Sequence, residues 1–178
     1  VQHSYGGWTP RNGSHARNGQ QVPLKWALQH SNNWISASLI TTLGPQQFVG
    51  ILHDFGLNNP DIDRNATPVL SLGPCEVSVG EMVSAYTAFA NGGVRCARLF
   101  VTKIEDSHGY VIAKFQPLMT EVISEDNSYR MIDMMRAVID GGTGSRLKGA
   151  YGMKGDICGK TGTTNSNSDG WFIAFTPE

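Results

Sequence analysis

Two short polar stretches carry the residue types that could do chemistry in this sequence. The first is Lys160-Thr161-Gly162-Thr163, a cation, two hydroxyls and a glycine. It precedes a polar turn and the apolar run Trp171–Phe175, which predicts a β-hairpin. A strand glycine marks a place where another backbone can come close. Lysine charge and threonine hydroxyls suit an extended, peptide-like ligand that ends in a carboxylate. A solvated lysine on an edge strand is an equally ordinary interpretation.

The second stretch is Ser31-Asn32-Asn33, which interrupts two predicted helices. Polar side chains at a helix break usually bond nearby backbone groups, and Asn33, just before Trp34, fits an N-cap. The functional interpretation is that Ser31 and Asn33 face a cleft whose other wall is the Lys160 strand. Spacing alone favours the capping interpretation.

Composition limits the classes of function. Of 178 residues, 40% are hydrophobic and 16% charged, and the net charge is −1. These values predict one globular domain or a large piece of one, and argue against nucleic acid as a partner. The histidines and cysteines lack metal-ligand spacing, so we expect no metal site and no cofactor. We expect Cys75, Cys96 and Cys158 to be buried free thiols, while a Cys75–Cys96 disulfide stays open.

Periodicity predicts an α+β fold that positions the two stretches. Residues 1–21 are predicted to be irregular and exposed, and residues 22–91 mainly helical. Residues 57–77 within that range are predicted to be loop-rich. A capping box at Ser78 and Glu81 opens a helix whose apolar stripe, including Val79 and Val83, is predicted to be core. A hairpin at 98–115, a helix at 124–140 and the strand pair at 156–176 follow. Because helices and antiparallel strands are segregated, α+β is favoured over a doubly wound sheet.

Three blocks of sequence, in order, resemble the transpeptidase domain of penicillin-binding proteins, most like the bifunctional class A type. Ser31-Asn32-Asn33 resembles the Ser-x-Asn motif of that family. Residues 77–93 resemble its structural segment. Residues 159–164, followed by 169–175, resemble its Lys-Thr-Gly strand and the strand after it. The resemblance implies a β-lactamase/transpeptidase-like fold, present here as a helical subdomain and part of an antiparallel sheet.

The resemblance also implies an activity. It is that of a serine-type D,D-transpeptidase, which cross-links peptidoglycan stem peptides ending in D-Ala-D-Ala and binds penicillin and other β-lactam antibiotics. The implied catalytic residues are Ser31, which relays a proton, Asn33, which bonds the substrate amide, and Lys160, which holds Ser31 and attracts the terminal carboxylate. The implied location is the periplasmic, extracytoplasmic face of the bacterial inner membrane.

The implied substrate-binding residues are Thr161, Gly162 and Thr163. The resemblance assigns the terminal carboxylate to the two threonines, and an oxyanion-hole bond to the backbone N–H of Thr163. Strict strand alternation would place Lys160 and Thr161 on opposite faces. The sequence does not explain how both reach one ligand.

One motif of the family departs from its usual place. The nucleophile motif Ser-x-x-Lys belongs upstream of Ser-x-Asn, but its one literal match here is Ser145–Lys148, between the other two motifs. Its glycine-rich surroundings would not desolvate a lysine enough to make it a base, so we interpret it as a decoy. We therefore expect an interior fragment that is inert alone and anchored through missing upstream sequence. We also expect open strand edges that allow self-association.

Other functions stay open at this point. A serine β-lactamase or a D,D-carboxypeptidase is built from similar motifs, and a non-catalytic binding or assembly module could keep the same fold. A Ser-x-x-Lys motif preceding Val1 would favour the enzyme, and its absence would favour the module. The cross-link chemistry and the presence of a glycosyltransferase domain do not follow from these residues.

Overall fold

The computed structural model describes residues 4–13, 19–164 and 168–176. Part of the predicted polar turn, residues 165–167, lies outside the described residues. So do residues 1–3 and 14–18 of the segment 1–21. The helices are α1 (Leu24–Gln29), α2 (Asn33–Leu43), α3 (Pro45–Asp54), α4 (Pro60–Arg64), α5 (Val79–Ala90), α6 (Glu125–Gly141) and α7 (Arg146–Gly149), with a 3-10 helix at Pro68–Leu72.

The strands form three two-stranded antiparallel sheets. They are β1 (Val94–Cys96), β2 (Lys103–Glu105), β3 (Val111–Lys114), β4 (Met119–Glu121), β5 (Cys158–Thr163) and β6 (Gly170–Phe175). They pair as β1–β4, β2–β3 and β5–β6. Helices and antiparallel strands are segregated along the chain, which confirms the predicted α+β class.

Local signals explain where the helices around the cleft begin and end. Asn32 caps α2, its side chain accepting a hydrogen bond from the Ile35 N–H. The prediction that Asn33 is the N-cap is therefore wrong by one residue, because the chain already turns at Ser31 and Asn33 lies in the first helical position. Gly44, with φ +97°, ends α2 and Pro45 begins α3. The capping box at Ser78 and Glu81 is confirmed, with both reciprocal hydrogen bonds present.

The larger core lies between α2, α3, α5 and the segment that joins them. Its buried members are Ile40, Val49, Phe55, Leu57, Ile62, Leu70, Ala85 and Ala88. The predicted loop region 57–77 contributes to this core through α4 and the 3-10 helix, which the sequence did not predict. Pro60 and Pro68 open these two short helices, in the first turn where a missing N–H does no harm.

The predicted core stripe of α5 is wrong at two positions. Val79 and Val83 are 67% and 55% exposed. Small residues form the buried face instead: Ser84, Ala85 and Ala88. A helical period shows that one face is apolar, but it does not show which part of that face a neighbour covers.

The predicted hairpin at 98–115 is present as β2 and β3, but its strands are shorter and its apolar side chains stay exposed. Phe100 is 90% exposed and Ile112 is 67% exposed. A register shift between Ile104 and Glu105 interrupts the pairing. The hairpin therefore contributes no residue to the buried core.

Helix α6 joins the helical part of the chain to the β5–β6 sheet. It packs on α1, α5 and β5, and its residues Val138 and Ile139 form a second core with Ile157. Because α1 leads into Ser31 and β5 carries Lys160, α6 is the common support of both predicted stretches.

The state of the cysteines is visible in the structure, as are the possible metal ligands and the helix lengths among the described residues. All three cysteines are free thiols, but only Cys158 is buried, whereas Cys75 and Cys96 are half-buried. Among the described residues there is no group of three His, Cys, Asp or Glu side chains that could hold a metal ion. No helix in that part of the chain is long and apolar enough to cross a bilayer.

Candidate active site

Ser31 lies in the turn between α1 and α2 and has an unusual backbone. Its φ is +51°, and it is the one residue other than glycine with positive φ among those the structure describes. The left-handed conformation costs a residue with a Cβ roughly 1–2 kcal/mol. The turn is held by a hydrogen bond from the Ser31 N–H to the Leu28 carbonyl. Backbone strain of this kind is concentrated at functional sites, so the strained turn indicates a functional role for the Ser31 hydroxyl.

The Ser31 hydroxyl meets Lys160 across the cleft. Lys160 Nζ donates to Ser31 Oγ at 3.0 Å and to the Thr161 carbonyl at 2.7 Å. These groups are 129 residues apart in sequence, so the predicted two walls are brought together. Burial lowers the pKa of Lys160 below its ordinary value, because desolvation disfavours the charged form.

Hydrogen-bond alternation in the β5–β6 pair explains how Lys160 and Thr161 both reach the cleft. The Thr164 N–H bonds Asp169 on the β6 side. In an antiparallel ladder alternate residues bond the partner strand, so the backbone groups of Thr161 and Thr163 point away from β6. Within the described residues β5 pairs with β6 alone, so this edge of β5 is open. The long lysine side chain bends around this edge to bond the outward Thr161 carbonyl.

A cleft of about 570 Å³ lies between the two walls. Ser31, Asn33, Thr161 and Thr163 line it, so the structure brings four of the predicted site residues to one cavity. Lys160 reaches the same place through its contact with Ser31. Gly162 does not line the cleft; it is exposed, and a Cβ there would only touch the Trp171 side chain at 3.5 Å.

Asn33 is held by residues 10–12, which belong to a segment that the sequence predicts to be irregular and exposed. Its backbone N–H donates to Asn12 Oδ1 at 2.7 Å, and its side-chain Nδ2 donates to the Arg11 carbonyl at 2.6 Å. The Trp34 indole N–H donates to the Pro10 carbonyl, and Pro10 is buried. Residues 10–12 are therefore a strap across the start of α2, and sequence reasoning missed their role because no periodicity marks them.

A second missed element is the loop after α6. The Thr143 N–H donates to the Gln29 carbonyl at 3.1 Å, and the Thr143 and Thr161 hydroxyls lie 2.6 Å apart. A Cβ on Gly142 would lie 2.2 Å from the Gln29 carbonyl oxygen, so only glycine allows this approach. In the sequence, Gly141 and Gly142 after the predicted helix indicate only that the helix ends there. In the structure they bring the Ser31 turn and β5 into contact with one loop.

The literal Ser145–Lys148 motif does not have the geometry of a nucleophile and its base. Lys148 donates to Asp140 at 2.6 Å as an exposed ion pair, so its charge is neutralised by a carboxylate. Ser145 lines the cleft, and its hydroxyl makes no hydrogen bond to Lys148, whose ammonium bonds Asp140 instead. This geometry supports the interpretation of the motif as a decoy.

An ion pair supports the start of β5. The Arg136 guanidinium on α6 donates two hydrogen bonds to the Asp156 carboxylate, two residues before the strand. These bonds hold the pKa of Asp156 below its usual range.

Burial raises the pKa of the Cys158 thiol, which argues against a reactive thiolate beside the cleft.

Comparison with known proteins identifies what this arrangement is similar to. Residues 1–178 match the family model described as the penicillin binding protein transpeptidase domain. Penicillin-binding protein 1A of Neisseria lactamica is 35% identical over 176 residues, which cover 96% of this chain and 21% of that protein. The corresponding protein of Aquifex aeolicus is 34% identical over 170 residues and covers 96% of this chain and 22% of its own length. The chain thus spans about a fifth of the relatives that it matches.

Solved structures have the same fold. Penicillin-binding protein 1A from Haemophilus influenzae superposes with a TM-score of 0.79 at 25% identity, covering 94% of this chain and 30% of that one. Penicillin-binding protein A from M. tuberculosis, as an imipenem acyl-enzyme complex, has a TM-score of 0.79 at 20% identity, covering 98% and 44%. The β-lactamase/transpeptidase-like fold that the resemblance implied is therefore confirmed as a partial copy.

Proposed function

Because this chain belongs to the penicillin-binding protein transpeptidase family, we propose that it forms the ligand-binding part of a serine-type D,D-transpeptidase that cross-links peptidoglycan. The observation that carries the proposal is the 3.0 Å hydrogen bond from Lys160 Nζ to Ser31 Oγ. It joins two motifs that are far apart in sequence at the edge of a cleft with polar walls.

The cleft suits the terminal carboxylate of a D-Ala-D-Ala stem peptide. The Lys160 ammonium supplies positive potential, and the Thr161 and Thr163 hydroxyls are donors on the lining. The open edge of β5 offers its outward N–H and C=O groups to an extended peptide, as in β-strand addition. Asn33 lines the opposite wall of the cleft. Its side-chain amide donates one N–H to the Arg11 carbonyl, which leaves the second N–H for an amide of the ligand.

Ser31 has the position of a proton relay. A nucleophilic serine attacks the carbonyl carbon between the two D-alanines, and its proton passes through the Ser31 hydroxyl to the nitrogen of the departing D-alanine. The acyl group is then transferred to an amine of a neighbouring strand. The outward N–H of Thr163 is one donor to the oxyanion. Lys160 keeps the Ser31 oxygen in place, and its lowered pKa makes proton exchange with Ser31 easier than for a solvated lysine.

The nucleophile is not among the residues of this chain. Ser145 is the one serine in a Ser-x-x-Lys motif, and its lysine is paired with Asp140. We therefore expect the 178-residue chain alone to be inert, and the protein that carries it to be active.

β-Lactam antibiotics are the second class of ligand in the proposal, acting as acylating analogues of D-Ala-D-Ala. The family assignment supports this, and so does the neighbour from M. tuberculosis, which is an imipenem acyl-enzyme. The same assignment supports a location at the extracytoplasmic face of the bacterial inner membrane, which is part of the proposal. The exposed strand β6 has a second open edge among the described residues, through which copies of the isolated chain would associate.

Labelled penicillin tests the proposal. The full-length protein that carries this chain should form a covalent adduct, and Ser31→Ala and Lys160→Met should slow adduct formation by at least tenfold. Thr42→Val is the matched control, because the Thr42 hydroxyl only bonds the preceding turn of α2. The isolated chain should form no adduct. An adduct at Ser31 or Ser145 would overturn the assignment of the nucleophile, and a full-length protein without any adduct would favour a non-catalytic module.

A further inference from the structure

We propose that Thr143 is a positioning residue for carboxylate recognition, acting through Thr161. This inference rests on the proposed function, in which the Thr161 hydroxyl binds the ligand carboxylate. No motif of the sequence includes Thr143, which lies in the loop between α6 and α7.

The first argument is the direction of the hydrogen bond between the two hydroxyls. Thr143 Oγ1 and Thr161 Oγ1 are 2.6 Å apart, and without a ligand either could donate. A hydroxyl has one hydrogen and two acceptor lone pairs. Once Thr161 donates its hydrogen to a carboxylate, only Thr143 can donate within the pair. Thr143 thus fixes the rotation of the Thr161 hydroxyl and leaves its hydrogen for the ligand.

The second argument is cooperativity. A hydroxyl that accepts a hydrogen bond becomes a stronger donor, and hydrogen bonds to an ionised acceptor are about twice as strong as neutral ones. In the hydrogen-bonded series from Thr143 to Thr161 to the carboxylate, Thr161 accepts one hydrogen bond and donates another to an ionised group. It should therefore strengthen binding of a ligand with a free carboxylate more than that of the same ligand with a neutral carboxamide.

The third argument is the anchoring of Thr143 itself. Its backbone N–H bonds the Gln29 carbonyl, two residues before Ser31. The neighbouring Gly142 packs against the same carbonyl, closely enough that a Cβ would lie 2.2 Å away. One residue therefore contacts both walls of the cleft, with its backbone on the Ser31 side and its hydroxyl on β5. This arrangement sets the position of the Thr161 hydroxyl relative to the Ser31 hydroxyl.

The test uses the full-length protein that carries this chain, with the isosteric variant Thr143→Val and the hydroxyl-retaining variant Thr143→Ser. The probes are a stem-peptide analogue ending in D-Ala-D-Ala with a free carboxylate and the matching carboxamide. We expect Thr143→Val to raise KM for the carboxylate about tenfold, as for one net hydrogen bond, with kcat within about twofold. The carboxamide should change by less than about threefold, and Thr143→Ser should restore the carboxylate preference.

A double-mutant cycle separates this role from a merely structural one. In a Thr161→Val background, Thr143→Val should have no further effect on KM, because the hydroxyl that it positions is gone. Equal losses for both ligands, additive losses in the cycle, or an unchanged KM in Thr143→Val would each overturn the inference. Failure of the proposed function is recognised separately, by a wild-type protein that neither uses the peptide nor forms an adduct with penicillin.

Discussion

Gly142 offers the sharpest test of how the two walls of the cleft are held together. Replacement by alanine would place a Cβ 2.2 Å from the Gln29 carbonyl oxygen and 2.9 Å from the Val138 Cα, both backbone atoms. Real contacts of this kind are longer than 3.0 Å, so the loop and the Ser31 turn must separate by at least 0.8 Å, the difference between 3.0 and 2.2. Such a shift would break the 3.1 Å hydrogen bond from Thr143 to Gln29.

The expected loss of stability follows from this clash. Inserting a methyl group into a filled site costs about 1–3 kcal/mol, and a domain of this size loses roughly 2–4 °C of melting temperature per kcal/mol. Gly142 has φ −109°, so a change of backbone preference does not confuse the result. Urea unfolding followed by tryptophan fluorescence measures the loss, and the rate of penicillin acylation in the full-length protein measures the effect on the cleft.

Two neighbouring glycines make a graded control. A Cβ on Gly149 would meet nothing within 4 Å, and one on Gly141 would meet only the end of the flexible Gln29 side chain at 3.2 Å. Each is the last residue of a helix and neither has a positive φ, so alanine adds no backbone strain and no fixed clash there. We expect Gly142→Ala to be strongly destabilised, and Gly141→Ala and Gly149→Ala to be neutral or stabilised. If Gly142→Ala unfolds at the same urea concentration as Gly149→Ala, the close approach does not hold the walls together.

Three further predictions follow from the site. Ser31→Gly should be more stable than Ser31→Ala by about 1 kcal/mol, because only glycine relieves the positive φ; equal melting temperatures would show that the turn is unstrained. Asn12→Ala should lose about 1 kcal/mol and slow acylation, whereas Asn12→Asp keeps the acceptor for the Asn33 N–H; calorimetry that ranks the aspartate variant no better than alanine would contradict this. Because the pKa of Lys160 is lowered, the unfolded state holds more protons between the folded pKa and about 10.5, so this residue makes stability rise with pH there. Tyr86, whose pKa is raised to about 12 by burial, has the opposite effect above pH 10. The quantity to measure is therefore the difference in free energy of unfolding between wild type and Lys160→Met as a function of pH, and a difference that does not change with pH would refute the lowered pKa of Lys160.

The parts of the site that the sequence predicted are those with a local or a family signal. The strand character of residues 158–163 and the break at Ser31 follow from periodicity and from turn residues. The meeting of Lys160 with Ser31 came from the resemblance, because no local rule relates residues so far apart. The N-cap was misplaced by one position, since Asn32 and Asn33 are chemically identical caps and only the backbone at Ser31 decides between them.

The parts that the sequence did not predict depend on contacts between distant segments. Asn12 lies in an irregular stretch and Thr143 follows a helix. Nothing in the sequence around either residue distinguishes it from an ordinary surface polar residue. Their roles arise because the start of the chain crosses α2 and because α6 ends beside Gln29. The exposed valines of α5 also depend on distant segments. The sequence pattern defines an apolar face of the helix, but the neighbouring segments determine how much of that face is buried.

The open edge of β5 has a consequence for how such a site can change over evolutionary time. Whatever extended ligand this edge receives is met partly by main-chain N–H and C=O groups of Thr161 and Thr163. Ordinary substitutions do not delete a main-chain donor; only proline removes the N–H, and it would also distort the strand. A variant that must escape one ligand while keeping a similar one is left with the side chains around the edge and with the distance between the walls. Adaptation should therefore accumulate in the supporting residues, such as those of the loop at 141–145 and the strap at 10–12, rather than in the strand that makes the contact.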